Sequence, residues 1–270
     1  MKDKNKFLHR YGSWALITGG SSGMGAEFAR QLGAMGFNLI LVARRLERMQ
    51  QLAEQITAEH KVDIKIIQQD LADNNFMQAI IKQTTDLDIG LLINGAGFAL
   101  TGPLLDNDIE DEQGLLEVNC RAPLLLTHYF ANKMRQRNKK QQKKTGGVIF
   151  LSSIVAFSAV PKWGNYAASK AYNLLLSESL SSELQQEGIA VLALTPGPTA
   201  TEFQQVAGVR DFMVMDVEQV VSKALSSLGK RSLVIPGWLN RYNNFWLRFF
   251  PRLLNTRIFA AIVEKVRIKS

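Results

Sequence analysis

This 270-residue sequence predicts an α/β fold: a doubly wound parallel sheet of about seven strands with helices on both faces. Three observations predict it. Short apolar runs of strand length alternate with longer segments of helical period. A glycine-rich turn links the first apolar run to the first helical segment. The distinctive polar residues fall just after the apolar runs, where open parallel sheets bind ligands.

The elements follow in order. Trp14–Thr18 is the first strand, and the turn Gly19 to Gly25 leads into a helix over Ala26–Met35 that Gly36 stops. Asn38–Val42 is the second strand, followed by Ala43-Arg44-Arg45 and a polar helix from about Leu46 to Glu59. Ile64–Gln68 is the third strand, and Asn74–Thr85 is helical. Leu91–Asn94, closed by Gly95-Ala96-Gly97, is the fourth. A helix from about Glu110 to Asn138 contains Pro123, which predicts a kink or local irregularity. Val148–Leu151 is the fifth strand, running into Ser152 and Ser153. Asn165–Glu187 is a long helix stopped by Gly188, and Ile189–Leu194 is the sixth strand. Asp216 caps a helix to Leu228, and Leu233–Ile235 is the seventh strand. The alternation is that of a Rossmann-like sheet. No internal repeat or linker divides the chain before Pro236, so residues 1–236 read as one domain and 237–270 as a helical extension.

Composition narrows the classes. Cys120 is the single cysteine, which excludes an internal disulfide and suits a reducing, cytoplasmic setting. The charged start Met1-Lys-Asp-Lys-Asn-Lys has no apolar core after it, so no signal peptide is expected. No run approaches the roughly 20 apolar residues of a spanning helix. The net charge is +8, and the extension supplies +6 of it through Arg241, Arg248, Arg252, Arg257, Lys265, Arg267 and Lys269 against Glu264. A second cluster, Lys139, Lys140, Lys143 and Lys144, reads as a solvated helix end and loop. No basic helix-turn-helix or aromatic RNA-binding motif accompanies the charge, so no nucleic-acid partner is expected.

The strand ends carry the chemistry. Glycines in the first turn let the backbone approach a pyrophosphate resting on the helix N-terminus, although Gly19-x-x-x-Gly23-x-Gly25 departs from the usual Gly-x-Gly-x-x-Gly. After strand two, no acid stands ready for a ribose 2′-hydroxyl. Arg44 or Arg45 can instead pair with a 2′-phosphate, which predicts NADP(H) in preference to NAD(H). Asp70, after strand three, can meet an adenine amino group or cap a helix. Tyr166 and Lys170 lie four residues apart on one helix face. An ammonium beside a phenol favours phenolate, and a tyrosine of lowered pKa can pass a proton at neutral pH. Ser153, at the end of strand five, can face the same point, and no metal site is expected.

Together these residues resemble the short-chain dehydrogenase/reductase family in its common Tyr-x-x-x-Lys form, over roughly Trp14 to Pro236. Thr18 to Gly25 is similar to its cofactor motif. Asn94-Gly95-Ala96-Gly97 is similar to its Asn-Asn-Ala-Gly turn, with Gly95 replacing the second Asn at little expected effect on chemistry. Asn119, Ser153, Tyr166 and Lys170 match its catalytic tetrad, and Pro196 to Thr201 its Pro-Gly turn and nicotinamide-side threonine. The resemblance implies an oxidoreductase moving a hydride between NADP(H) and a ketone or aldehyde. Tyr166 would be its general acid or base, Lys170 would lower the Tyr166 pKa and hold the nicotinamide ribose, and Ser153 would bond the substrate oxygen. Asn119 would position a water linking Lys170 to solvent. It places cofactor against Thr18, Gly19, Ser21, Ser22, Gly23, Met24, Gly25, Arg44, Arg45, Asp70, Leu71, Asn94, Gly95, Ala96, Tyr166, Lys170, Pro196, Gly197, Thr199 and Thr201. It also implies a homo-oligomer, dimer or tetramer. A 3-oxoacyl-thioester reductase and a non-catalytic NADP(H) sensor are the alternatives, and the retained Tyr166 argues against the sensor.

In the family the segment Thr199 to Asp216 is a mobile substrate lid, and here it is apolar: Phe203, Val206, Val209, Phe212, Met213, Val214 and Met215. With Phe98, Phe157 and Trp163 nearby, a bulky, apolar or lipid-like substrate is expected, unless these residues only pack the lid on the core. In the extension, apolar residues from Trp238 to Val266 recur at helical spacing, split by Pro251 and interleaved with arginines. That pattern predicts two helices packed on the core or on a partner subunit, or else lying peripherally on the inner face of a membrane.

Overall fold

The computed structural model describes residues 2–142, 145–203, 214–247 and 249–266. Among the residues named above, Met1, Lys143, Lys144, Val206, Val209, Phe212, Met213, Arg248, Arg267 and Lys269 lie outside that set. Seven strands form one sheet: β1 Trp14–Thr18, β2 Asn38–Ala43, β3 Ile64–Gln68, β4 Ile89–Asn94, β5 Gly147–Leu151, β6 Ala190–Leu194 and β7 Leu233–Val234. All pairings are parallel, in the order β3-β2-β1-β4-β5-β6-β7. The order reverses between β1 and β4, so a crevice opens there beyond the strand ends.

Both sheet faces are buried, as near-continuous apolar strands require. One core joins α2 (Gly23–Ala34) and α3 (Leu46–His60) to the sheet through Phe28, Leu32, Leu41, Met49 and Ile93. The other joins α4 (Phe76–Thr84), α6 (Ala122–Gln141) and α7 (Gly164–Leu184) through Phe76, Ile80, Leu126, Phe130 and Phe150. Asp216 caps α8 (Val217–Ser227), accepting from the Glu218 amide at 2.7 Å, as its sequence position predicts. Gly36 and Gly188 follow their helices with φ of 92° and 77°, the left-handed region that suits glycine.

One helix was not foreseen, and the irregularity expected at Pro123 takes a specific form. The charged N-terminus forms α1 (Lys2–Tyr11), whose Tyr11 is buried and donates to the Leu228 carbonyl at 3.0 Å. Tyr11 packs near Gly90, Gly147 and, through Phe7, Phe37, so α1 closes the sheet at the end opposite the crevice. The helix expected from Glu110 to Asn138 is divided: α5 (Ile109–Leu116), a π-helical turn over Glu117–Arg121, then α6. Pro123 has no N–H to offer the Asn119 carbonyl, and Asn173 of α7 donates to that carbonyl instead at 2.8 Å.

The extension forms α9 (Trp238–Leu247) and α10 (Arg252–Val266), on either side of Pro251. Phe259 and Val263 of α10 are buried against Leu115, Val155, Val160 and Tyr166, so this helix packs on the core. An ion pair between Lys162 and Glu264 ties it to the loop before α7. Trp238, Tyr242, Phe245, Phe249 and Leu253 are exposed. No helix among the described residues is long and apolar enough to cross a membrane.

Candidate active site

The crevice holds two adjoining cavities. The first, about 300 Å3, is floored by the β1–α2 turn and walled by Arg44, Arg45, Asp70, Leu71 and the Gly95–Phe98 turn. The second, about 210 Å3, is lined by Ser153, Tyr166, Lys170, Val155, Val160 and Trp163, with Pro196, Gly197 and Thr199 on its rim. Met24, Gly97, Leu151, Thr201 and Phe203 border both.

The turn is shaped for close approach. A Cβ on Gly25 would lie 2.2 Å from the Gly19 carbonyl oxygen, and one on Gly19 would lie 2.9 Å from the Ala96 backbone. Ser22 precedes α2 without capping it; its hydroxyl accepts from Arg45 instead. The first amides of α2 therefore lack a side-chain cap and face the cavity with the positive end of the helix dipole. Bare backbone, free amides and a nearby guanidinium fit the pyrophosphate of a dinucleotide. Thr18 and Asn94, expected against the cofactor, line neither cavity. Thr18 Oγ1 accepts from the Gly95 and Ala96 amides at 3.0 and 3.1 Å, and Asn94 donates to Thr127 at 2.9 Å.

At the far end Arg44 pairs with Asp70 at 3.7 Å. Asp70 also accepts from the Ala72 amide at 3.0 Å, so it shapes the local turn instead of capping α4. Arg45 instead meets Ser21, Ser22 and Glu202. Arg48, not singled out from the sequence, joins it on Glu202 at 2.5 Å. It lies in the first turn of the polar helix α3, where no local motif marks it.

Tyr166 and Lys170 project from the first turns of α7, both nearly buried. The Lys170 Nζ lies 5.6 Å from the Tyr166 ring centre and donates to the Leu151 carbonyl at 3.0 Å. Burial dominates both groups. It pushes the Tyr166 phenol above its ordinary value, with the Ser153 hydroxyl pulling the other way. It brings Lys170 down to about 8. The expected lowering of the Tyr166 pKa by Lys170 is thus outweighed by desolvation in the protein alone. The phenol stays protonated at neutral pH, the form that donates.

Asn119, in the π turn, is fully buried. Its Nδ2 donates to the Phe98 carbonyl and to Ser169, each at 3.0 Å, and its Oδ1 accepts from the Phe98 amide at 3.1 Å. The side chain therefore holds the Gly97–Phe98 turn beside Lys170. A Cβ on Gly97 would lie 3.1 Å from the Lys170 Nζ. Ser152 also lines the second cavity, but it is buried and its hydroxyl donates to the Lys170 carbonyl at 2.7 Å.

Of the expected apolar residues, Trp163 and Phe203 line the second cavity and flank the Tyr166 ring, at 6.0 and 5.6 Å between centres. Phe98 faces the first cavity, and Phe157 lies on a separate cleft. The unforeseen contributors are Phe259, Ile262 and Val263 of α10, distant in sequence. The segment between the Pro-Gly turn and α8 is clamped at its base, where Thr199 and Met215 form a bridge. Among the described residues no cluster of His, Cys, Asp or Glu is suited to a metal ion.

The family model for short chain dehydrogenase matches residues 13–210. The 7beta-hydroxysteroid dehydrogenase of Clostridium sardiniense is 28% identical over 239 residues, 87% of this chain and 89% of that protein. A very-long-chain 3-oxoacyl-CoA reductase of Aspergillus fumigatus is 33% identical over 246 residues, 87% of this chain and 67% of that protein. A solved short-chain dehydrogenase from Sphingobium yanoikuyae, in complex with NADPH, aligns with a TM-score of 0.77 at 31% identity, covering 88% of this chain and 96% of that one.

Proposed function

This chain belongs to the short chain dehydrogenase family, oxidoreductases acting on CH–OH and C=O groups, and from that premise we propose an NADPH-dependent reductase of bulky apolar ketones, able to run in reverse on the matching alcohols. The observation carrying the proposal is that Ser153, Tyr166 and Lys170 line an apolar cavity directly beside the glycine-turn cavity.

The cofactor, when bound, supplies the hydride; the remaining roles belong to the chain. The β1–α2 turn and the α2 N-terminus hold the pyrophosphate, with Arg45 at the adenosine end. Ser153 donates a hydrogen bond to the substrate carbonyl oxygen, where negative charge grows during reduction. Tyr166 gives its phenolic proton to that same oxygen. Lys170, charged below about pH 8, lies beside the ring and stabilises the phenolate left behind. Asn119 holds the Gly97–Phe98 turn against Lys170, and a water relay from Lys170 to solvent completes reprotonation. Trp163, Phe203 and Phe259 exclude water and favour a large apolar group on the ketone.

The relatives named above act on a hydroxysteroid and on a very long acyl thioester, both large and apolar. The test is NADPH oxidation, followed by absorbance, with a panel running from small aldehydes to steroid ketones and long-chain 3-oxoacyl thioesters. The bulky ketones should give the highest kcat/KM, and NADPH should outperform NADH. A preference for small polar carbonyls, or no turnover with any carbonyl, would contradict the proposal.

A further inference from the structure

Resting on the NADPH reading above, we propose that Glu202 is a resident competitor for the 2′-phosphate of the cofactor, and that Arg48 is the second arginine of the subsite it occupies. The Glu202 carboxylate lies between two guanidiniums. Arg45 Nη1 donates to Oε2 at 3.0 Å, and Arg48 Nη1 to both oxygens at 2.5 and 2.7 Å. Arg45 also donates to Ser21 Oγ at 3.3 Å and to Ser22 Oγ, both in the turn beneath. Glu202 comes from the far wall: its neighbour Thr201 sits over the glycine turn, its Cβ 3.3 Å from where a Cβ on Gly23 would be. The three residues thus form a strap across the adenosine end of the cavity, all partly exposed. Arg44 stands apart, paired with Asp70.

This cluster answers an anion. Two guanidiniums converge on a carboxylate that supplies two oxygens and one charge, and Ser21 and Ser22 accept from one of them, Arg45. A phosphate monoester supplies three oxygens and close to two charges, so it fits the same donors better and can displace the side chain. A ribose with a free 2′-hydroxyl brings no charge and cannot replace the carboxylate on both arginines. Glu202 therefore weakens binding of a 2′-phosphate by having to leave. The next residue, Phe203, packs on the Tyr166 ring, so the strap lies one residue from the catalytic tyrosine.

The test is calorimetric titration of 2′,5′-ADP and 5′-AMP, nucleotides without nicotinamide, into the full-length protein, Glu202→Gln, and Glu202→Gln combined with Arg48→Gln. Removing two partly exposed ion pairs should tighten 2′,5′-ADP about five- to ten-fold while 5′-AMP changes less than about two-fold. The added Arg48→Gln should abolish the gain. If the unaltered protein prefers 2′,5′-ADP but Glu202→Gln leaves its affinity unchanged or weaker, the competitor role falls and the NADPH reading stands. An equal gain for both nucleotides also overturns it, because the carboxylate would then only narrow the cleft. If neither the unaltered protein nor Glu202→Gln distinguishes the two nucleotides, there is no phosphate subsite and both readings fall.

Discussion

Lys170 is buried with the Leu151 carbonyl as its hydrogen-bond acceptor, and burial lowers its pKa from 10.5 to about 8. Between those values the unfolded chain binds more protons than the folded one, so folding stability gains as pH rises from about 8 to 10.5. Tyr166 acts in the opposite sense and later. Its folded pKa is raised above 10.0, so its contribution is present below that pH and is lost above it. Urea unfolding from pH 7 to 10 should therefore show the protein gaining stability relative to Lys170→Met, by on the order of 1–3 kcal/mol. Parallel profiles for the two proteins would mean that Lys170 is not desolvated. The Tyr-x-x-x-Lys pair itself was legible as four-residue spacing on one helix face. The sign of the Tyr166 shift was not, because burial depends on Trp163, Phe203 and the tail, which no local spacing reveals.

Among the elements, the strands and the glycine stops were readable because each rests on a local rule: continuous apolar runs for a doubly covered sheet, and positive φ after a helix. The π turn was not. Pro123 announced an irregularity, but its form depends on Asn173, fifty residues on, taking the carbonyl that the proline leaves open. Asn173→Ala would leave that buried acceptor unpaired and should cost about 1–3 kcal/mol in thermal or urea unfolding. A loss below about 0.5 kcal/mol would show that the carbonyl finds another donor. By the same logic Asp216→Ala should cost about 1 kcal/mol through loss of the α8 cap, and an unchanged melting temperature would contradict that role. Helix α1 escaped the sequence reading because its apolar positions are few, Phe7, Leu8 and Tyr11, and charge dominates the segment.

Across the whole molecule, the site is assembled from distant parts: the β1–α2 turn, the end of β5, the start of α7 and the last helix of the chain. The first three follow from the parallel sheet, whose strand ends share one edge, and so could be placed together from sequence. The contribution of α10 could not, because an amphipathic pattern favours packing over a membrane without saying which surface, core or partner, receives it. Since Phe259 packs on the cluster that contains Tyr166, Phe259→Ala should raise KM for bulky ketones about ten-fold, in line with loss of about two buried methylene equivalents, and leave small aldehydes unaffected. Equal effects on both substrate sizes would assign Phe259 to stability alone. The central claim is that a protonated Tyr166, set beside the Lys170 ammonium, delivers its proton to a carbonyl. Turnover of a bulky ketone by Tyr166→Phe, with NADPH affinity measured in parallel, tests it most directly. The expected result is a kcat lower by about 10²- to 10⁴-fold with cofactor affinity nearly unchanged; a variant that keeps full turnover would contradict it.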